Sequence, residues 1–267
     1  MLEFKRLTEE DWEQFKPIDR ECFPDDYIPK KLYLQYITKS GFIGFFRDEE
    51  LIGYMFLQTA NRYGLLNRIA VKKSLQGQGY GSIMMTFIID YFKKRNVRKI
   101  ELMVETKNKQ AIALYKKYGF YFEQELWFCT IEENHLKKIE KTKIEENTEL
   151  KKLTLGDLNT IVETFENVNV EEMTKILENS NNLVLGLFNE KELKVMSIFE
   201  PNYAGCRSLK CKELKYFDEF IKKLKEYRAN NYYNISFETN RQLAELCEER
   251  EFAGRRHLWK MEKKLEE

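Results

Sequence analysis

The sequence predicts an α/β protein made of two tandem copies of one mixed sheet flanked by helices. Three observations carry that prediction. Strand and helix patterns alternate through the first half. A glycine-rich stretch, VKKSLQGQGYGS (residues 71–82), joins an apolar strand pattern to a helical one. Segments of the first half recur in order in the second.

The elements follow from local chemistry. In LTEEDWEQF, Thr8 stands three residues before Asp11, which is a helix-start signal. IPKKLYLQYITKS reads as a second helix after Pro29. GFIGFF, RDEE and LIGYMFLQ read as a hairpin, two apolar strands joined by a polar turn. LLNRIAV is a further strand and leads into the glycine loop. SIMMTFIIDYFKKRN follows as a helix that is apolar nearly all round at first, so it should be deeply packed. KIELMVE is a strand. NKQAIALYKKYG is a helix with Gly119 suited to its C′ position, and ELWFCTI closes the series as a strand. The charged stretch 132–149 then reads as a helix or a solvated linker. It sets the expected boundary, with domains at 1–138 and 139–267.

The second half reads as a faded copy of the first. EFKRLTEEDW (3–12) aligns with ELKKLTLGDL (149–158) at an offset of 146, and NKQAIALYKKYGFYFEQELW (108–127) with NRQLAELCEEREFAGRRHLW (240–259) at an offset of 132. NLVLGLFNEKELKVMSIF repeats the hairpin. The falling offset implies a shortened middle, where the first copy carries its glycine loop and the second has only Gly205.

Composition excludes several functions. Lys plus Arg number 45 against 44 acidic residues, which leaves no global field to draw nucleic acid or an anionic membrane. The five cysteines form no C-x-x-C pair and read as reduced thiols of a cytoplasmic protein. With only His135 and His257, neither a histidine-rich metal site nor a Ser-His-Asp apparatus is expected. The N-terminus has no apolar h-region, and no apolar run is long enough to span a bilayer.

The glycine loop admits three readings. A P-loop fails, since no G-x-x-x-x-G-K-[ST] string exists. A dinucleotide fingerprint fits poorly, because residues 72–76 separate strand from glycines and Ser82 stands where the third glycine should be. The third reading is a polar arm with glycines opening a helix, whose N–H groups and dipole favour a pyrophosphate. In that form the stretch Val71 to Ser82 closely resembles motif A of the GCN5-related N-acetyltransferases (GNAT), V-x-P-x-x-[QR]-x-x-G-x-[GA]. VETKNKQAIALYKKYGF (104–120) resembles their motif B, V-x-x-x-N-x-x-A-x-x-L-Y-x-x-x-G-F. The two occur in the family's order, and the resemblance covers about residues 1–131.

The resemblance implies the GNAT fold with a splayed central sheet, twice in tandem, and acetyl-CoA as cosubstrate with no metal. It implies an enzyme that moves acetyl to a primary amine of a small molecule, peptide or protein by direct attack. Ile69, Ala70 and Val71 would pair by backbone with the pantetheine arm. Gln76, Gly77, Gln78, Gly79, Tyr80, Gly81 and Ser82 would hold the pyrophosphate through main chain, with Lys72 and Lys73 adding charge. Asn108 is either a cofactor contact or an ordinary N-cap, and Asn240 in the copy favours the cap. Tyr115 would be the general acid for the departing thiolate; the copy has Cys247 there. The family's base positions fall on Asn67 and Met103, neither of which takes a proton. Period-two alternation puts Glu101, Met103 and Glu105 on one face, so either glutamate is a candidate base or a plain surface charge. Asp25, Asp26, Tyr27, Tyr33, Tyr36 and Trp127 are candidates for the acceptor groove. The second half would be non-catalytic, shaping the groove or mediating a homodimer. The alternative to an enzyme is a CoA or acyl-CoA sensor without turnover.

Overall fold

The computed structural model describes residues 1–143, 145–201 and 205–265. Packing divides the chain into two units. One is Met1–Glu123 with Trp259–Glu267, the other Gln124–Leu258.

In the first unit Thr8 forms the expected capping box. Its N–H donates to Asp11 Oδ2 at 2.8 Å, as does its hydroxyl at 2.9 Å, and the turn runs into α1 (Trp12–Cys22). α2 (Lys30–Tyr36) follows Pro29. The sheet order is β1 (Leu2–Arg6), β2 (Phe42–Arg47), β3 (Glu50–Ala60), β4 (Tyr63–Val71), β5 (Lys99–Glu105), then β12 (Ala253–Lys264), whose residues from Trp259 onward belong to this unit. α3 (Tyr80–Lys93) links β4 to β5, and α4 (Lys109–Lys117) follows β5, ending at Gly119 with φ 81°.

Alternation along the strands builds a core on each side of this sheet. Phe45, Met55, Leu66, Leu102 and Val104 meet Met84, Met85 and Ile88 of α3 and Ile112 of α4. On the other side Phe42, Tyr54 and Phe56 meet Phe15 of α1 and Tyr33 of α2. Met261 and Leu265 complete the first of these cores, and Leu265 N donates to Arg98 O at 2.8 Å.

The second unit repeats the series. It contains β7 (Thr148–Lys152), α6 (Leu158–Thr164), α7 (Val170–Glu178), β8 (Leu183–Asn189), β9 (Glu192–Glu200), β10 (Gly205–Cys211), α8 (Phe217–Lys223), β11 (Tyr233–Glu238) and α9 (Arg241–Glu249). Thr154 and Asp157 repeat the capping box. The strand next to β11 is β6 (Tyr121–Ile131), paired antiparallel from Leu126 to Ile131. α5 (Glu133–Ile139) buries Leu136 and Ile139 in the same core.

A packing detail supports the repeat beyond sequence. A Cβ on Gly44 would lie 2.8 Å from Leu7 Cδ2 and 2.9 Å from Leu51 Cδ1; on Gly186 it would lie 2.8 Å from Leu153 Cδ2 and 2.9 Å from Leu193 Cδ1. The same glycine is wedged between the same two leucines in each copy. The shortening of the second copy is distributed. The offset is 146 at β1 and β7, 142 at β3 and β9, 137 at α3 and α8, and 132 at α4 and α9. The glycine loop accounts for only part of it.

Residue 138 falls within α5, so a cut there describes units of the sequence repeat rather than units of packing. The 138/139 boundary stays a proposal about that repeat. Met261 is fully buried in the first core. Met261→Ala should cost about 2–4 kcal/mol by removing packed volume, read as a loss of first-unit stability in chemical denaturation. A chain ending at residue 258 should lose more.

Candidate active site

β4 and β5 run parallel and pair from Tyr63↔Lys99 to Leu66↔Leu102, and there the pairing stops. β4 continues to Val71 and β5 to Glu105, but they have parted. A bulge in β4 marks the place. Opposite β3, Phe56 pairs with Arg68 and Leu57 with Leu66, leaving Asn67 as the extra residue. The β4 edge from Asn67 to Val71 therefore presents backbone groups to a cleft. Such groups require a partner.

The glycine loop stands at the wide end of that cleft. Gly77 has φ 77° and Gly79, the N-cap of α3, has φ 89°. These are left-handed conformations that side chains resist. A Cβ at either would meet nothing within 4 Å, so the space before them is open. Gly81 differs, since its Cβ would press on Leu114 of α4 at 3.1 Å; it serves helix packing. Among the described residues, no backbone acceptor binds the N–H groups of Gly77, Gln78, Gly79, Tyr80 and Gly81. Five amides at and just before the start of a 14-residue helix thus lack a backbone acceptor, with open space at Gly77 and Gly79, which suits a diphosphate.

Side chains hold this loop in shape. Gln76 Nε2 donates to Val71 O at 3.0 Å and Gln78 Nε2 to Ser74 O at 3.2 Å. Lys72 Nζ is paired with Glu50 at 2.6 Å, and that ammonium holds the Glu50 carboxyl below its usual pKa. Lys72 is therefore largely neutralised as a phosphate ligand, while Lys73 is exposed. Sequence reasoning missed Arg47, which donates to Tyr80 Oη at 3.2 Å. It also missed Cys22, whose Sγ donates to Val71 O at 3.5 Å. Burial, with Glu21 and Asp19 nearby, pushes the Cys22 thiol up to about 11, so it is no thiolate nucleophile at neutral pH.

Tyr115 is buried in the core between α3, α4 and β5. Its hydroxyl has no hydrogen-bond partner among the described residues, and burial raises its pKa strongly. Asn108 caps α4, accepting from Ala111 N at 3.0 Å, and Asn240 does the same for α9 from Leu243 N at 3.0 Å. The capping role is thus present in both copies.

Lys99, Glu101, Met103 and Glu105 share the face of β5 away from α3, as alternation required. Glu101 lies opposite Leu65, on the closed side of the parting, and is paired with Lys99 at 2.6 Å and Lys260 at 3.6 Å. It also lines a cavity of about 500 Å³ with Lys39, Gln58 and Tyr63. Glu105 is exposed beside the wide end. Asn67 donates to Gln58 at 2.8 Å, and Met103 is half-exposed. Of the groove candidates, Tyr33 is fully buried and donates to Thr8 O at 2.6 Å, while Tyr36 packs on Phe42 and Phe56. Both are core residues. Asp26 is paired with Arg68 at 2.9 Å, Tyr27 is exposed, and Trp127 stacks on His257 in the second unit.

The second unit treats the same region differently. Among the described residues β10 and β11 pair at Gly205↔Asn234 and Cys206↔Ile235. Beyond that the strands are bridged by Lys210–Glu238 at 3.4 Å and by Asn240 Nδ2 donating to Cys211 O at 3.4 Å. Only Lys212 and Glu213 separate β10 from the 3₁₀ turn Leu214–Tyr216, which leads into α8.

Residues 4–120 match the family model described as Acetyltransferase (GNAT) family. The first unit carries a GNAT domain. A structure titled GCN5-related N-acetyltransferase from Sphaerobacter thermophilus aligns over 98% of this chain and 95% of that one, at TM-score 0.64 and 10% identity. A tandem GNAT protein from the clavulanic acid biosynthesis pathway aligns over 99% and 98%, at TM-score 0.54 and 10% identity. The whole chain thus has the tandem GNAT fold. The putative ribosomal protein bS18-alanine N-acetyltransferase of Bacillus subtilis is 23% identical over 43% of this chain and 78% of its own. An uncharacterised N-acetyltransferase of Methanocaldococcus jannaschii is 40% identical over 21% of this chain and 24% of its own length. The mycothiol acetyltransferase of Streptomyces scabiei is 28% identical over 35% and 31%. The chain therefore spans less than a third of the length of these last two relatives. Among the described residues no helix is long and apolar enough to cross a membrane.

Tyr115 gives a pH test of this GNAT domain. Its folded pKa lies above the unfolded value of about 10, so its contribution to stability is full below about pH 10 and is lost as pH rises further. Denaturation at about pH 9 and about pH 11 should show a loss on the alkaline side that Tyr115→Phe partly removes.

Proposed function

We propose that the first unit is an acetyl-CoA-dependent N-acetyltransferase acting on a primary amine by direct attack, and that the second unit is non-catalytic. One observation supports this above all. A β4 edge that β5 leaves unpaired after Leu66 leads to five amides without a backbone acceptor, with open space at Gly77 and Gly79.

The residues present fit the cosubstrate. The amides of Gly77 to Gly81 would hold its diphosphate, and the backbone of Ile69, Ala70 and Val71 would pair with its amide-bearing arm. When bound, acetyl-CoA supplies the activated acyl group. Tyr115 stays protonated at neutral pH and has no competing acceptor, so its proton is available to a leaving thiolate. Asn108 contributes its amide NH₂ beyond its cap. Glu105, exposed at the wide end, and Glu101, on the closed side of the parting, are the candidates to take the amine's proton through water. Positioning supplies the remainder, since the nucleophile need only arrive as the neutral amine. In the second unit, side chains bridge the equivalent cleft and no glycine loop opens α8, so cofactor is not expected there. The relatives' names make a peptide α-amine the first acceptor to try. Five free cysteines suit a reducing cytoplasm.

The test is thiol release from acetyl-CoA with a panel of alanine-starting peptides and spermidine. Wild type should turn over at least one, Tyr115→Phe should lower kcat about a hundredfold, and Gly79→Glu should weaken CoA tenfold or more by calorimetry, roughly. Tight CoA binding with no release across the panel would favour a sensor, a reading to which the proton-inert Asn67 and Met103 lend weight.

A further inference from the structure

A buried ionic cluster ties the acceptor-side loop to β4. Asp19 of α1 is 1% exposed. Its carboxylate accepts from Tyr54 Oη of β3, from Ile28 N at 2.5 Å and from Arg68 Nη1 of β4 at 3.2 Å. Arg68 has a second hand. Its Nη2 reaches Asp26 Oδ2 at 2.9 Å and also the Asp26 carbonyl, and its guanidinium lies 4.4 Å over the ring of Phe23. Arg68 thus grips Phe23 and Asp26, and its partner Asp19 holds Ile28 N, so the two together anchor residues 23–28 in the connection between α1 and α2. Arg68 follows the bulged Asn67 directly, at the residue where β4 has just left β5.

A charge this well buried is costly unless its partners are fixed, so the cluster defines one position for the loop. Arg68 suits this task because its planar fork bonds two carboxylates while its face stacks on an aromatic ring. Lysine would keep the charge and lose the fork.

We propose that Arg68 is a positioning residue that sets the acceptor-facing loop 23–28 against the cofactor-facing strand. Loop and strand are then aligned through Arg68 and its buried partner Asp19, and the loop's place is fixed before any ligand arrives. That this loop receives the amine rests on the acetyltransferase reading; that Arg68 holds it does not.

The tether is tested by hydrogen exchange on the full chain without ligand. Asp26→Asn takes the charge from the outer pair, leaving weaker neutral acceptors there, and leaves the buried pair intact, so the fold should persist. Exchange across residues 23–28 should rise about tenfold, the loss expected for one charge-assisted bond. CoA affinity by calorimetry should change less than about twofold. Arg68→Met with Asp19→Asn, which removes the inner pair without stranding a charge, should raise exchange further, and Arg68→Lys should restore part of the protection. With whichever panel peptide is turned over, Asp26→Asn should raise its KM and leave kcat nearly unchanged. Unchanged exchange at 23–28 in both variants would overturn the proposal, and so would CoA affinity falling in parallel with it. Failure of wild type to bind CoA would instead overturn the acetyltransferase reading, with the exchange result unaffected.

Discussion

The first unit depends on a sheet that stops pairing partway. After Leu66 and Leu102 two parallel strands separate, and one keeps five residues of backbone without a neighbour on that side. In a folded protein such an edge is a liability unless something binds it. The bulge at Asn67 turns the strand away, and the three antiparallel strands behind β4 keep it straight enough to remain an edge. The glycine loop then begins where the edge ends. The parting and the loop are one construction, since the loop would have nothing to align if the strands stayed paired.

The second unit shows what the same frame does without that demand. It keeps the capping box, the wedged glycine between two leucines and the asparagine cap. These features serve folding. It has no glycines at the start of α8, and its strands are joined by an ion pair and an amide contact where the first unit is open. Cys247 replaces Tyr115 and points to Cys129 Sγ at 3.2 Å, a buried thiol pair in place of a lone phenol. Structural features persist across both copies, and those suited to an anionic ligand occur in one.

Much of this was legible in the residues because the constraints are local. Gly77 and Gly79 pointed to a tight glycine loop, and Asn108 offered a cap beside a cofactor contact; both follow from the backbone needs of a few neighbouring positions. The shared face of Glu101 and Glu105 followed from strand alternation alone. What could not be read is set by contacts between distant segments. Arg68 and Asp19 are far apart in sequence, and nothing near either reveals that they meet under Tyr54. Glu50 neutralising Lys72 is of the same kind, as is the burial of Tyr33. The repeat aligned residues 240–259 with 108–127, but an alignment does not say which sheet the closing strand will join.

That last point bears on how the chain is made. A ribosome releases strands β1 to β5, helices α1 to α4 and then the entire second unit before it delivers Trp259, Met261 and Leu265. Until they emerge, β5 lacks its second neighbour and the pocket for Met261 is unfilled. The nascent amino-terminal portion therefore waits, incomplete and in need of protection from aggregation, while the later portion acquires most of its own interior. A translation arrest or nonsense change between residues 250 and 259 would spare nearly every residue of the glycine-loop portion and still deny it a finished core.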